Sequence, residues 1–136
     1  MFLSESVSMF DREKLISKAI EIKKKYKATY IVLIHGSAEV VLGTKEFTSD
    51  LDIEGDFKGF ENTTPTKYGP PYDLYTIEKG KVDISISKGL DLNKVFKLSE
   101  GVYCVKVNEL IRSKLELGRE KDMLAITRIK EFFGIS

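Results

Sequence analysis

Two hydrophobic periods alternate along this chain. Between residues 11 and 27, Leu15, Ile16, Ala19, Ile20 and Ile22 fall near one face of a helix. Lys23, Lys24, Lys25 and Lys27 crowd its last turn, where the helix dipole favours cations. The pattern changes at "TYIVLIHGS", residues 29–37. Ile31, Val32, Leu33 and Ile34 form a continuous apolar run closed by Gly36, the mark of a strand buried on both faces. A short helix is predicted over 37–43. "DLDIEGD" alternates acid and apolar residues, which is strand periodicity.

Residues 57–71 hold Gly59, Pro65, Gly69, Pro70 and Pro71 and read as a loop. "YDLYTIEKGKVDISIS" reads as a hairpin, with strands over 72–78 and 81–87 and a turn at 79–80. "LDLNKVF" reads as a short helix and "VYCVKV", 102–107, as a strand. Asn108 caps a helix that continues through Glu116, with Leu110, Ile111 and Leu115 inward. Gly118 interrupts it. A last helix covers 121–133, with Met123, Ile126, Ile129 and Phe133 at helical spacing. Strands mixed with helices, without a repeat or a linker, predict one α+β domain over residues 1–136: a mixed sheet flanked by helices.

Composition narrows the chemistry. A hydrophobic fraction of 42% against 32% charged residues suits a folded domain and excludes a disordered chain. A net charge of +1 demands neither nucleic acid nor membrane. Cys104 is the single cysteine, so there is no internal disulfide and no cysteine-rich zinc site; inside an apolar strand it reads as core. His35 is the single histidine, which argues against a histidine metal site or triad; it reads as a hydrogen-bonded structural residue. "MFLSESVSMF" lacks the basic region and apolar core of a signal peptide, and no apolar run approaches the ~18 residues of a membrane span. A cytoplasmic location without membrane partners is expected.

The acids of "SDLDIEGDFKGFE" need an explanation. Asp50, Asp52, Glu54, Gly55 and Glu61 nearly fit an EF-hand calcium loop. An EF-hand loop lies between two helices, and here "LGTKEFTS" precedes it and "NTTP" follows, neither of which favours a helix. As a strand the stretch makes better sense. Residues two apart point the same way, roughly 6.5–7 Å apart at the backbone. Asp50, Asp52 and Glu54 then share one face, with Leu51 and Ile53 on the core side. Such a face can also be plain solvated sheet surface. In "KVDISIS" the alternation places Asp83, Ser85 and Ser87 together. If the two strands are neighbours, Asp83 completes a carboxylate cluster whose mutual repulsion a divalent cation relieves. Asp50 and Asp52 suit a pair of cations ~3.5–4 Å apart, as in phosphoryl transfer.

"IVLIHGSAEVVLGTKEFTSDLDIEGDF" resembles the signature of the polymerase β-type nucleotidyltransferase superfamily: a strand ending in Gly-Ser, a short helix, then an Asp-x-Asp strand. Gly36 and Ser37 match the first part, Asp50 and Asp52 the second at slightly generous spacing, and Asp83 the third aspartate from a later strand. The carboxyl-terminal part is similar to small nucleotidyltransferase-like proteins, including the abortive-infection toxins of toxin–antitoxin systems. Lys114 matches a helical lysine, and Arg119, Lys121 and Asp122 match an Arg-x-Lys-Asp motif. By spacing alone these are exposed residues paired with Glu116 and Glu120. The toxins carry an added helical domain that this chain does not match, and the 57–71 loop has no counterpart in the pattern.

The resemblance implies a nucleotidyltransferase that moves NMP from an NTP to an acceptor hydroxyl on RNA, protein or a small molecule. Asp50, Asp52 and Asp83 would be the catalytic residues and the ligands of Mg²⁺ or Mn²⁺. Gly36, Ser37, Lys114, Arg119 and Lys121 would bind the nucleotide. Glycine allows close approach of a phosphate, and amides opening a helix favour an anion. The alternative is a non-catalytic nucleotide-binding or toxin–antitoxin component on the same fold. On either reading a second copy of the chain or an antitoxin is a candidate partner. Tyr68, Tyr72 and Tyr75 are candidates to stack on a base or acceptor.

Overall fold

The computed structural model describes residues 9–70 and 72–136. The leader reading falls mostly on residues outside these, and Pro71 of the loop lies outside them too. Asp11 opens the first helix by accepting the Lys14 N–H at 2.9 Å, which satisfies a donor that a helix start leaves free. Helix α1 spans Arg12–Lys25 and buries Leu15, Ala19 and Ile22. Ile20, predicted inward, is exposed.

Strand β1 is Ile31–Leu33, followed at once by helix α2, His35–Leu42. Strand β2 is Leu51–Gly55. Strands β3, Tyr75–Ile77, and β4, Val82–Ile86, form the predicted hairpin around a short 3₁₀ turn. Strands β5, Val95–Ser99, and β6, Val102–Val105, form a second hairpin. Helix α3, Val107–Leu117, and helix α4, Glu120–Phe133, complete the chain. The six strands make one mixed sheet in the order β3-β4-β2-β1-β6-β5, and the fold is α+β. No helix among the described residues is long and apolar enough to cross a membrane.

Alternation along the central strands separates two faces. Ile31, Leu33, Leu51, Ile53, Val82, Ile84, Val102 and Cys104 are buried together with Leu15, Ala19 and Ile22 of α1, which packs on β1, β2 and β6. The opposite face carries Asp52, Glu54, Asp83 and Ser85, with Val32 and Tyr103 in register across the neighbouring strands.

The structure corrects several expectations. "LDLNKVF" is not a helix. Asp91 accepts the Asn93 N–H at 3.0 Å to make a turn, and Val95 and Phe96 enter a strand against Val105 and Cys104, where β-branched and aromatic residues fit well. Helix α2 starts at His35, two residues before the predicted point. Helix α3 begins at Val107 with Lys106, not Asn108, at the cap, and Leu115 is exposed. In α4, Met123 and Phe133 are exposed while Asp122, Ala125, Ile126 and Ile129 face inward. The EF-hand alternative is excluded, because Leu51–Gly55 is a strand and Asp56 instead accepts the Thr29 N–H at 2.7 Å and the Tyr30 N–H at 3.2 Å. The described part of the loop, residues 57–70, is fastened by Phe57 and Phe60, both buried, with Phe60 stacked on Tyr26 and tilted against Tyr75.

Cys104 is fully buried, and burial pushes its thiol up to about 12. A thiol held protonated and covered does not react. Ellman's reagent is therefore expected to leave the native protein unmodified and to titrate one thiol after guanidinium unfolding. Rapid reaction in the native state would contradict the placement of Cys104 in the core.

Candidate active site

The acidic cluster is built by strand register. Strands β2 and β4 run parallel, with Asp52 directly opposite Asp83. Asp50 lies one step before β2 on the same side. The three aspartates are half-buried and offer carboxylate oxygens that all lie within 4.8 Å of one another. Each outer member is held by a hydroxyl. Ser49 donates to Asp50 at 2.7 Å, and Thr76 of β3 donates to Asp83 at 2.7 Å. Sequence reading did not single out Ser49 or Thr76.

Burial pushes the Asp52 carboxyl up to about 8, helped by the negative charges of Asp50 and Asp83. A bare cluster therefore does not stay fully ionised at neutral pH. An all-oxygen donor set of this charge suits a hard divalent cation, and the three residues are close enough to hold one.

Gly36 and Ser37 lie in the first turn of α2. A Cβ at Gly36 would meet the Thr48 hydroxyl at 3.1 Å and sit 3.9 Å from both an Asp52 oxygen and the Lys45 ammonium. Gly36 thus keeps open the space beside the acids. Ser37 is fully buried. Its hydroxyl accepts the Asp52 N–H at 2.8 Å and donates to the Asp50 carbonyl at 3.4 Å. The structure thus places Ser37 on the backbone that carries both aspartates, fixing their strand to α2.

The opposite wall is cationic. A cavity of about 780 Å³ brings Asp50, Asp52 and Asp83 together with Lys45, Lys114, Arg119, Lys121 and Arg128. Every predicted site residue except Ser37 lines it. Lys114 is 6% exposed and pairs with Glu39 at 3.4 Å. Its charge also reaches Asp52 and lowers that carboxyl against the larger upward effects. Arg119 pairs with Asp122 at 2.6 Å, and Asp122 also accepts the Arg119 backbone N–H at 3.2 Å, closing the start of α4. Lys121 is exposed at the same rim.

Sequence reading missed the centre of this wall. Glu39, in α2, is 1% exposed. It pairs with Arg128 at 2.5 Å, Lys114 at 3.4 Å and Lys45 at 3.9 Å, and accepts the Thr44 hydroxyl at 3.1 Å. Burial alone would raise its pKa, but the Arg128 hydrogen bond and the charges of Lys114, Lys45 and Arg128 outweigh that and lower it. The available signal was a lone acid inside the apolar helix "SAEVV".

His35 also lines the cavity, in a left-handed conformation with φ 50°. Its Nε2 lies 2.7 Å from the Tyr72 hydroxyl. Burial, then the charges of Lys114 and Arg119, lower its pKa to about 4, so the ring is neutral at physiological pH. Among the described residues neither His35 Nδ1 nor the buried Ser85 hydroxyl has a hydrogen-bond partner. Tyr68 is exposed away from the cavity, and Tyr75 packs on Phe60. Glu54, next on the acidic face, does not line this cavity; burial raises its pKa, as does the charge of Glu109. No family model, curated protein or solved structure matches the chain.

Proposed function

We propose that the chain is a metal-dependent nucleotidyltransferase that moves NMP from an NTP to an acceptor hydroxyl and releases pyrophosphate. The observation that carries this reading is the parallel register of Asp52 with Asp83, which gathers three carboxylates opposite a wall of lysines and arginines. The arrangement accords with the resemblance to polymerase β-type enzymes in its order along the chain.

Asp50, Asp52 and Asp83 would hold Mg²⁺ or Mn²⁺. Bound there, the metal supplies charge neutralisation at the α-phosphoryl group and a lowered pKa for the acceptor hydroxyl. Lys45, Arg119 and Lys121 receive the triphosphate from the facing wall. Gly36 leaves room for its approach, and Lys114 supplies a fixed positive charge near Asp52. Asp83, oriented by Thr76, accepts the acceptor's proton. The acceptor oxygen bonds to the α-phosphorus as the bond from that phosphorus to the pyrophosphate oxygen breaks. The protein contributes position and charge, with no covalent intermediate on the chain.

A second reading, nucleotide binding without turnover, is favoured by one feature. Lys114 and Arg119 are already paired internally with Glu39 and Asp122, which lowers the positive charge left for a transition state. Incubation with Mg²⁺, α-labelled NTP and fractionated RNA, protein and small-molecule acceptors separates the two. The transferase reading expects label on one fraction with an equal yield of pyrophosphate. It expects Asp83→Asn to lower that rate at least about a hundredfold. Label released only as NDP, or transfer undiminished in Asp83→Asn, would overturn it.

A further inference from the structure

A second cavity, of about 810 Å³, adjoins the acidic site and shares Ile34, His35, Pro70, Tyr72 and Leu117 with it. The hydrogen-bonded His35–Tyr72 pair therefore stands on the common boundary. Strand β2, which supplies Asp52 to the first cavity, supplies Glu54 to the second. Residues two apart on a strand are separated by roughly 6.5–7 Å, so a compact molecule at Glu54 reaches the reacting side of Asp52.

The lining of this cavity has a particular chemistry. Val32, Ile34, Leu90, Val95 and Leu117 supply apolar walls, and the Tyr72 ring is an aromatic surface. Arg112 is occupied by Glu109 and Glu116. Glu54 has no hydrogen bond or ion pair among the described residues, although it is half-buried. The buried Nδ1 of His35 is likewise without a hydrogen-bond partner. The other charged groups of the lining are Asp91 and Lys94, so Glu54, Asp91, Glu109 and Glu116 outnumber the cations Lys94 and Arg112. Apolar walls, an aromatic ring and a net negative lining are the elements of an ammonium pocket.

We infer that the second cavity is the acceptor pocket and takes a small organic cation bearing a hydroxyl group, its ammonium beside Glu54 and Tyr72 and its hydroxyl directed past His35 to the aspartates. The word acceptor rests on the transferase reading; the cation pocket does not. A polymeric acceptor would need no anionic pocket at this distance from the acids.

The test uses choline and its neutral carbon isostere, 3,3-dimethylbutan-1-ol, with wild-type protein in the absence of metal and nucleotide. Saturation-transfer NMR and calorimetry are expected to give saturable choline binding, with the isostere at least about tenfold weaker. Glu54→Gln is expected to erase that preference. Equal binding of both probes, no binding of choline at millimolar concentration, or an unchanged preference in a folded Glu54→Gln protein would overturn the inference. The wild-type comparison stands even if the variant does not fold. Loss of choline binding with metal-dependent NTP binding intact would reject this pocket alone. The converse result would reject the transferase reading and leave the cation pocket in place.

Discussion

Asp52→Asn is expected to abolish metal-dependent transfer and, in metal-free solution, to remove a loss of stability that the wild type suffers as pH rises. Asp52 titrates at about 8 in the fold because it is buried beside Asp50 and Asp83. An unfolded aspartate titrates at about 3.9. Between those values the folded protein holds a proton that the unfolded chain has released. Stability therefore falls as pH rises from about 4 to about 8, and a proton-independent asparagine does not contribute to that fall. The difference between wild type and variant should grow across this window to a size on the order of a few kcal/mol. Mg²⁺ should reverse the alkaline loss in the wild type, since ligation favours the ionised carboxylates, and should do little for the variant. Melting temperatures at pH 5 and pH 8.5, in chelator and in Mg²⁺, measure all of this. Parallel pH profiles for the two proteins would contradict the crowded, metal-requiring cluster.

Glu39→Gln is expected to destabilise the fold by about 3–5 kcal/mol, the scale on which breaking one side of a buried ion pair acts. Glu39 is 1% exposed and Lys114 6%, so removing the carboxylate leaves a buried ammonium without its partner. Arg128, being 43% exposed, recovers solvation and adds less. The double change Glu39→Gln/Lys114→Met should be less destabilising than the two single changes combined. Denaturant unfolding of the four proteins measures the coupling, and strict additivity would remove Glu39 as the organiser of the cationic wall. The sign with pH is opposite to that of Asp52. The Glu39 pKa is lowered, so its contribution is fully present above the ordinary glutamate value of about 4.3 and is lost only as pH falls through the lower folded value.

These two residues differ in how visible they were in the sequence. Asp52 announced itself, because "DLDIE" alternates and a strand must place its acids on one side. "KVDISIS" did the same for Asp83. Alternation says which face a residue takes but not which strand lies beside it. The direct pairing of Asp52 with Asp83 is a long-range choice of register, made by burying Leu51, Ile53, Val82 and Ile84 together. Glu39 was hidden because its two nearest cations come from distant points: Arg128 is 89 residues away, and no local spacing records such a pair. Ser37 was legible as part of Gly-Ser, yet its hydroxyl turned out to grip the β2 backbone. "LDLNKVF" misled for a related reason. Its three-to-four spacing of apolar residues fits a helix, but the strand offered by β6 takes Val95 and Phe96 instead.

Calorimetric titration of each NTP, with and without Mg²⁺, into wild type and into the Asp50→Asn/Asp52→Asn double variant tests the central claim most directly. The account predicts binding by at least one NTP that requires Mg²⁺ and is lost in a folded double variant. NTP binding that is indifferent to Mg²⁺, or that persists unchanged in the double variant, would contradict it.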